Sequence, residues 1–288
     1  MPNDWRLVYP GTDLAFGSVT SGLVFPVAPA IGTTETEADD TRRPRGDGTV
    51  FGVDYLSGQT IGFAVDVVGP DESATRARLA TLARAWRGDA VRSSPGAVAE
   101  LVAHTGRSTF GRPRRFVSND DEIHSGLAAV TADFVTADDL WYGPEQAAEV
   151  SLVPAAGGGL VAPLASPLST TATSDRSAVF QVDGEVPTWP VLEVAGPLTS
   201  PVIEIVGVLR IELGLALAYD QTLVIDTRPW ARTVLRDGAS VSGRRTRAST
   251  RLDAAALPPG THQLVLRGAS ATGTARATAR WRNAYTTP

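Results

Sequence analysis

No cysteine and no lysine occur among the 288 residues, and there is a single methionine. Without cysteine there can be no disulfide framework and no thiolate metal site; the same lack does not identify a compartment. All strongly basic side chains are arginine, whose planar fork suits carboxylate and oxyanion partners at interfaces. Histidine is scarce, with only His104, His124 and His262, and no His-x-x-x-His or His-x-x-Glu-His spacing. That excludes the common zinc-hydrolase signatures. No Gly-x-Ser-x-Gly elbow is present for a Ser-His-Asp triad. No apolar run approaches the ~20 residues that span a bilayer. The richest candidate, Val202 to Tyr219, is interrupted by Arg210 and Glu212. The first residues, Met1 to Arg6, lack a basic region followed by an apolar one, so no signal peptide is expected. The net charge of −5 gives no global reason to expect nucleic-acid binding.

What is present is enough apolar material, 43% of residues, to build packed cores over a length suited to two domains. Short strands with turns at Pro10-Gly11 and Ser21-Gly22 are expected over 5–30. Gln59 to Val68 alternates Ile61, Phe63, Val65 and Val67, and a later stretch alternates Ala128, Val130, Ala132 and Phe134. Both spacings predict half-buried strands. Between them Leu79, Leu82, Ala83 and Trp86 form one helical stripe, expected from Ser73 as N-cap to Arg87, with Gly88 ending it. Residues 31–50 carry Glu35, Glu37, Asp39 and Asp40, then Arg42, Arg43 and Arg45, and read as a loop. From Pro187 onward the pattern is all-β. It includes a long alternation Leu209, Ile211, Leu213, Leu215, Leu217, and a last strand with Ala275, Ala277, Ala279 and Trp281 on one face. Gly157–Gly159, Pro163, Pro167 and the Ser/Thr run Ser169–Ser174 mark a linker. The expected organisation is a domain over 1–150, a linker with short strands over 151–186 and a β-sandwich over 187–288.

One segment is more specific. Gly111 to Glu145 reads as an arginine-led strand, a turn, a strand ending in Phe134, and then an acidic stretch closing on Trp141-Tyr142-Gly143-Pro144. It resembles the end of the first domain in the distal tail proteins of bacteriophages with long non-contractile tails. Further motifs follow in the same order. Phe51-Gly-Val-Asp-Tyr55 leads into the Ile61 strand. Val186-Pro-Thr-Trp-Pro190, Gly196-Pro197 and Pro201-Val-Ile-Glu-Ile205 resemble the opening of that family's second domain. The stretch from Leu213 through Asp220-Gln-Thr-Leu-Val-Ile-Asp-Thr227, then Arg236-Asp-Gly238 and Leu257-Pro-Pro-Gly260, resembles its later turns. The resemblance implies a mainly β chain: a tail-tube-like β-barrel with one packed helix, then a galectin-like β-sandwich. It also implies a structural virion protein without catalytic activity or cofactor, assembled in the host cytoplasm. That protein forms a ring, usually hexameric, at the distal end of the tail. Its partners would be its own copies, the major tail tube protein, and the tail-tip hub and receptor-binding proteins, with the genome passing unbound through the lumen. The charged run Glu35, Glu37, Asp39, Asp40, Arg42, Arg43 and Arg45 is then expected between subunits or in the lumen.

Other functions were weighed on the same residues. A carbohydrate-binding module of an adhesion device is the alternative, with Trp230 and Arg232 as a stacking platform or simply a cap over the core. A glycan hydrolase would need paired carboxylates, for which Glu204, Glu212 and Asp226 are the candidates; a solvated sheet face accounts for them as well. The basic run Arg244, Arg245, Arg247 and Arg251 lacks aromatic interleaving and reads as an exposed loop or subunit contact. Arg45-Gly46-Asp47 matches an adhesion tripeptide but is ordinary turn chemistry. Gly157–Gly159 lacks the following Lys-Ser/Thr of a phosphate loop.

Overall fold

A computed structural model describes residues 4–152, 177–270 and 272–288. Most of the expected linker, including Gly157–Gly159, Pro163, Pro167 and Ser169–Ser174, lies outside the described residues. The chain divides into two compact units, Met1–Gly143 with Tyr285–Pro288, and Pro144–Ala284. The expected domain limits, near 150 and 187, differ from these: the second unit opens at Pro144, and the last four residues count with the first.

In the first unit the period-two segments pair as their apolar faces require. Leu127–Thr136 runs antiparallel to Thr60–Val68 in a register that sets Ala128 opposite Val67, Val130 opposite Val65, Ala132 opposite Phe63 and Phe134 opposite Ile61. All eight side chains are buried, so a one-residue slip would turn the whole set to solvent. The sheet continues antiparallel through Ser108–Asn119, Ala99–Val102, Trp5–Tyr9 and Thr12–Phe16. Pairing shifts between Pro113 and Phe116, a bulge in the strand that the sequence led with arginines.

The helix spans Glu72–Arg87. Its N-cap is Asp71, not Ser73: the Asp71 carboxylate accepts from the Ala74 amide at 2.8 Å. Two acidic residues and a serine in a row left the sequence several choices, and the residue with extended backbone takes the cap. Gly88 ends the helix at φ 60°, a left-handed conformation that glycine adopts without strain. Leu82 and Trp86 are buried against the sheet and Leu79 is partly so. The Trp86 indole packs edge-on to Phe16 and Phe63, both 5.7 Å between ring centres, and its N–H donates to the Asp133 carbonyl at 3.1 Å. Tyr9 Oη donates to the Ala85 carbonyl at 2.7 Å, tying the helix to the strand Trp5–Tyr9.

The second unit is a sandwich. One sheet orders Arg276–Tyr285, Val191–Ala195, Thr222–Asp226, Thr233–Arg236 and Ala239–Ser240. The other orders Ser177–Val182, Gly260–Ala269, Leu198–Ile205 and Leu209–Glu212, with Ala216–Leu217 on the start of Leu198–Ile205. Inward side chains from both, among them Leu192, Val194, Ile203, Leu223, Leu264 and Ala277, share one core. The alternating run Leu209–Leu217 is two strands instead of one. After Glu212 the chain leaves the sheet, and Leu213 and Gly214 donate to the Pro201 and Arg244 carbonyls at 3.0 and 2.9 Å. Leu213 and Leu217 remain buried, so the period survives the break.

The mainly β class and the packed helix therefore stand. Among the described residues the sheets are open, none closing on itself, where the resemblance implied a barrel in the first domain.

Candidate assembly surface

Residues 30–57, expected as a loop through 50, form a two-step hairpin arm instead. At its base Ala30–Ile31 pair with the edge of Thr60–Val68. Thr36–Glu37 then pair with Tyr55–Leu56, and Thr41–Arg42 pair with Thr49–Val50. Between the steps the Asp40 carboxylate accepts from the Gly52 amide at 3.0 Å. The two chains run so close there that a Cβ on Gly52 would lie 1.9 Å from the Asp39 carbonyl oxygen; only glycine fits. The turn is Arg45-Gly46-Asp47-Gly48, with Arg45 at φ 59° and Gly48 at φ 102°. Arg-Gly-Asp thus serves as turn chemistry at the arm's tip.

The arm's side chains belong to neither core. Phe51 is 82% exposed, Tyr55 64%, Val53 62% and Leu56 60%. Large apolar residues scattered singly need no explanation, but four within six residues form a patch. An isolated two-stranded ribbon is marginal in water, so such an arm is better ordered against a partner.

The seven charged residues singled out from sequence all lie here, all exposed. Glu35, Glu37, Asp39 and Asp40 line the outgoing limb; Arg42, Arg43 and Arg45 lead to the tip. Among the described residues none of the seven makes an ion pair within the chain. The acidic and basic blocks do not pair with each other. The charges stand out in the sequence and the apolar limb does not; Val50, Phe51, Val53, Tyr55 and Leu56, rich in β-formers just after an Arg-Gly-Asp-Gly turn, are its hairpin signal.

The acidic Trp-Tyr motif has a local cause. Trp141 is buried against Trp5, 5.9 Å between ring centres, and the Tyr142 hydroxyl donates to Asp138 Oδ2 at 2.5 Å. Asp138 Oδ1 accepts from the Leu140 amide at 3.2 Å. Burial nevertheless pushes the Asp138 carboxyl up to about 6, opposed by the Tyr142 and Leu140 hydrogen bonds and helped by the charge of Asp139.

The residues weighed for chemistry are engaged otherwise. Glu204 lies 3.1 Å from Arg267 and 3.8 Å from Arg210, and Glu212 lies 3.1 Å from Arg210. Asp226 is clamped by both forks of Arg228, at 2.5 to 3.1 Å. These carboxylates hold cross-strand or local arginines. Arg228 also faces the Trp230 ring, 5.6 Å from its centre, so the ring's cationic partner is Arg228 and not Arg232. Arg232 instead joins Arg245 and Arg251 around a hollow of about 250 Å³. Arg244 and Arg247 are exposed outside it. His104 packs near Trp5, His124 sits in the single turn Ile123–Ser125, and the His262 ring contacts the Pro258 carbonyl at 2.8 Å, so the histidines stay scattered. Among the described residues no group of three His, Asp or Glu is placed to hold a metal.

No family model and no curated protein matches this chain. Solved structures share its fold. It aligns over 97% of its length with 98% of the Dit protein of phage SPP1, described as a paradigm of the hub adsorption apparatus in phages infecting Gram-positive hosts, at 15% identity and a TM-score of 0.55. It aligns over 97% of its length with 98% of a chain of the phage P2 baseplate in its activated conformation with calcium, at 12% identity and a TM-score of 0.57. The same baseplate with strontium gives a TM-score of 0.56, also at 12% identity, over 96% of this chain and 97% of that one. The structural neighbours are thus phage Dit hub and baseplate proteins, and the likeness spans both units.

Proposed function

We propose that this chain is a structural phage distal tail protein, not an enzyme. Copies form a ring, hexameric by the resemblance, which joins the tail tube to tip and receptor-binding proteins of the virion and lets the genome pass. The first unit makes the ring; the second, galectin-like by the same resemblance, is peripheral to it. The observation that carries the assembly reading is the arm: an exposed apolar limb beside charges that make no ion pair among the described residues of their own chain. The exposed apolar limb is costly for a solitary molecule, and both features would find use against a second copy. Glu35, Glu37, Asp39 and Asp40 would meet arginines of a neighbour or line the lumen, where acidic side chains do not retain phosphates.

The test is assembly of the full chain, by electron microscopy and mass measurement in solution. Rings are expected, loosening as salt rises because exposed ion pairs are screened beyond about 10 Å at 0.1 M. Phe51→Asp with Tyr55→Asp should abolish them. Rings that persist in this double variant would remove the arm from the interface, and a protein that stays monomeric at every concentration would remove the ring.

A further inference from the structure

The hollow in the second unit ringed by Arg232, Arg245 and Arg251, with Leu252 and Asp253, lies outside the proposed assembly surface and has no part in it. Its three guanidinium groups arrive from three separate segments. One is the turn Arg228–Arg232, another follows the short helical turn Ser242–Arg244, and the third is Arg251 before the turn Leu252–Ala254. Asp253 is the one acid in the lining, and Arg251 already grips it, Nε to Oδ1 at 3.1 Å and Nη2 to Oδ2 at 2.6 Å. That grip holds the Asp253 carboxyl below its usual range, with a smaller contribution from the charge of Arg232. The remaining donors are poorly used. Arg245 Nε reaches only the Ser242 carbonyl, at 3.5 Å, and the Arg232 side chain makes no hydrogen bond or ion pair among the described residues.

The backbone of Arg232 adds an independent observation. It stands at φ 48°, the left-handed region that glycine or asparagine occupies more easily. A non-glycine residue persists there where the surrounding structure holds it, and such positions cluster at ligand sites. Here the side chain in question is an arginine turned to a basic hollow.

We propose that this hollow binds a phosphate group. Three positive charges against one leave an excess of two, which matches a phosphate dianion. A planar carboxylate is saturated by one arginine fork, whereas a tetrahedral oxyanion offers acceptors in several directions to forks from three sides. The volume admits the phosphate with part of an attached group, so the ion could be free or the end of an ester.

The experiment titrates the full-length protein at low salt with inorganic phosphate and with glycerol 3-phosphate. Acetate at equal ionic strength is the control, and arginine Nε–H NMR signals are the readout. Phosphate should saturate signals of Arg232, Arg245 and Arg251 while acetate does not. Glycerol 3-phosphate binding as tightly assigns an esterified phosphate; inorganic phosphate alone assigns the free ion. Arg245→Gln should weaken binding about tenfold or more, the loss expected for one charge-assisted contact. Arg244→Gln with Arg247→Gln should leave it unchanged. Arg232→Gly should weaken binding and raise the melting temperature, because it relieves the backbone while deleting a donor. Acetate binding equal to phosphate would overturn the proposal, as would Arg245→Gln and Arg232→Gly variants that fold and bind as the parent does.

Discussion

The helix Glu72–Arg87 and the arm of residues 30–57 are near neighbours in the sequence and use apolar side chains in opposite ways. The helix turns Leu82 and Trp86 inward onto strands of its own chain, and solvent meets its arginines. The arm leaves Phe51, Val53, Tyr55 and Leu56 in solvent, and its backbone pairs only with itself beyond the base. The helix therefore adds to the core of its own chain, and the arm adds to neither core. The difference separates apolar residues that build the fold from apolar residues that the proposed assembly would use.

Substitutions can break or sharpen that contrast. The largest loss of stability should follow Trp86→Ala, which deletes an indole packed on two phenylalanines and unpairs the Asp133 carbonyl. A cost of about 3–5 kcal/mol in urea unfolding is expected. A variant as stable as the parent would mean that the stripe is not the anchor.

Next comes the proton on Asp138. Its folded value of about 6 exceeds the ordinary 3.8. Between these the native state holds a proton that the unfolded chain releases. The contribution of this group is thus most favourable below about pH 4 and is lost as pH rises through 6, on the order of 2–3 kcal/mol in full. Asp138→Asn should flatten the stability profile over that window, measured by melting at successive pH values. An unchanged slope would place the titration elsewhere.

Asp71→Ala removes the cap bond to Ala74 and should cost about 1 kcal/mol, with Ser73→Ala nearly silent. The reverse order would restore the cap expected from sequence.

The smallest effect on stability, within about 0.5 kcal/mol, is expected for Phe51→Asp with Tyr55→Asp, because neither side chain is packed. A large loss of stability would show that the arm folds back on its own unit in solution.

The parts of the fold written in periodic patterns were legible. Period-two runs such as Ile61–Val67 and Ala128–Phe134, and the stripe through Trp86, became elements with the expected inward faces, because burial on one side imposes the period. The cap moved by two residues, since Asp71, Glu72 and Ser73 all have cap chemistry and only backbone conformation decides among them. The arm escaped because its strands are short and bury nothing, so no periodicity marks them; its turn and its β-formers were the only trace. The Arg232 hollow was beyond reach for another reason. Arg232 lies thirteen residues or more from its companions, and only the topology of the sandwich brings them together.

That the first unit includes Tyr285–Pro288 has a consequence for the order of synthesis. The Arg107 guanidinium lies over the Tyr285 ring, 3.7 Å from its centre, and its Nη1 donates to the Thr287 carbonyl at 2.7 Å. At a ribosome these partners are separated by the whole of the second unit, roughly ten to thirty seconds of elongation. Until then Arg107 lacks both the Tyr285 ring and the Thr287 carbonyl. The sandwich needs its own last strand, Arg276–Tyr285, so neither unit is complete until Tyr285–Pro288 are about to emerge.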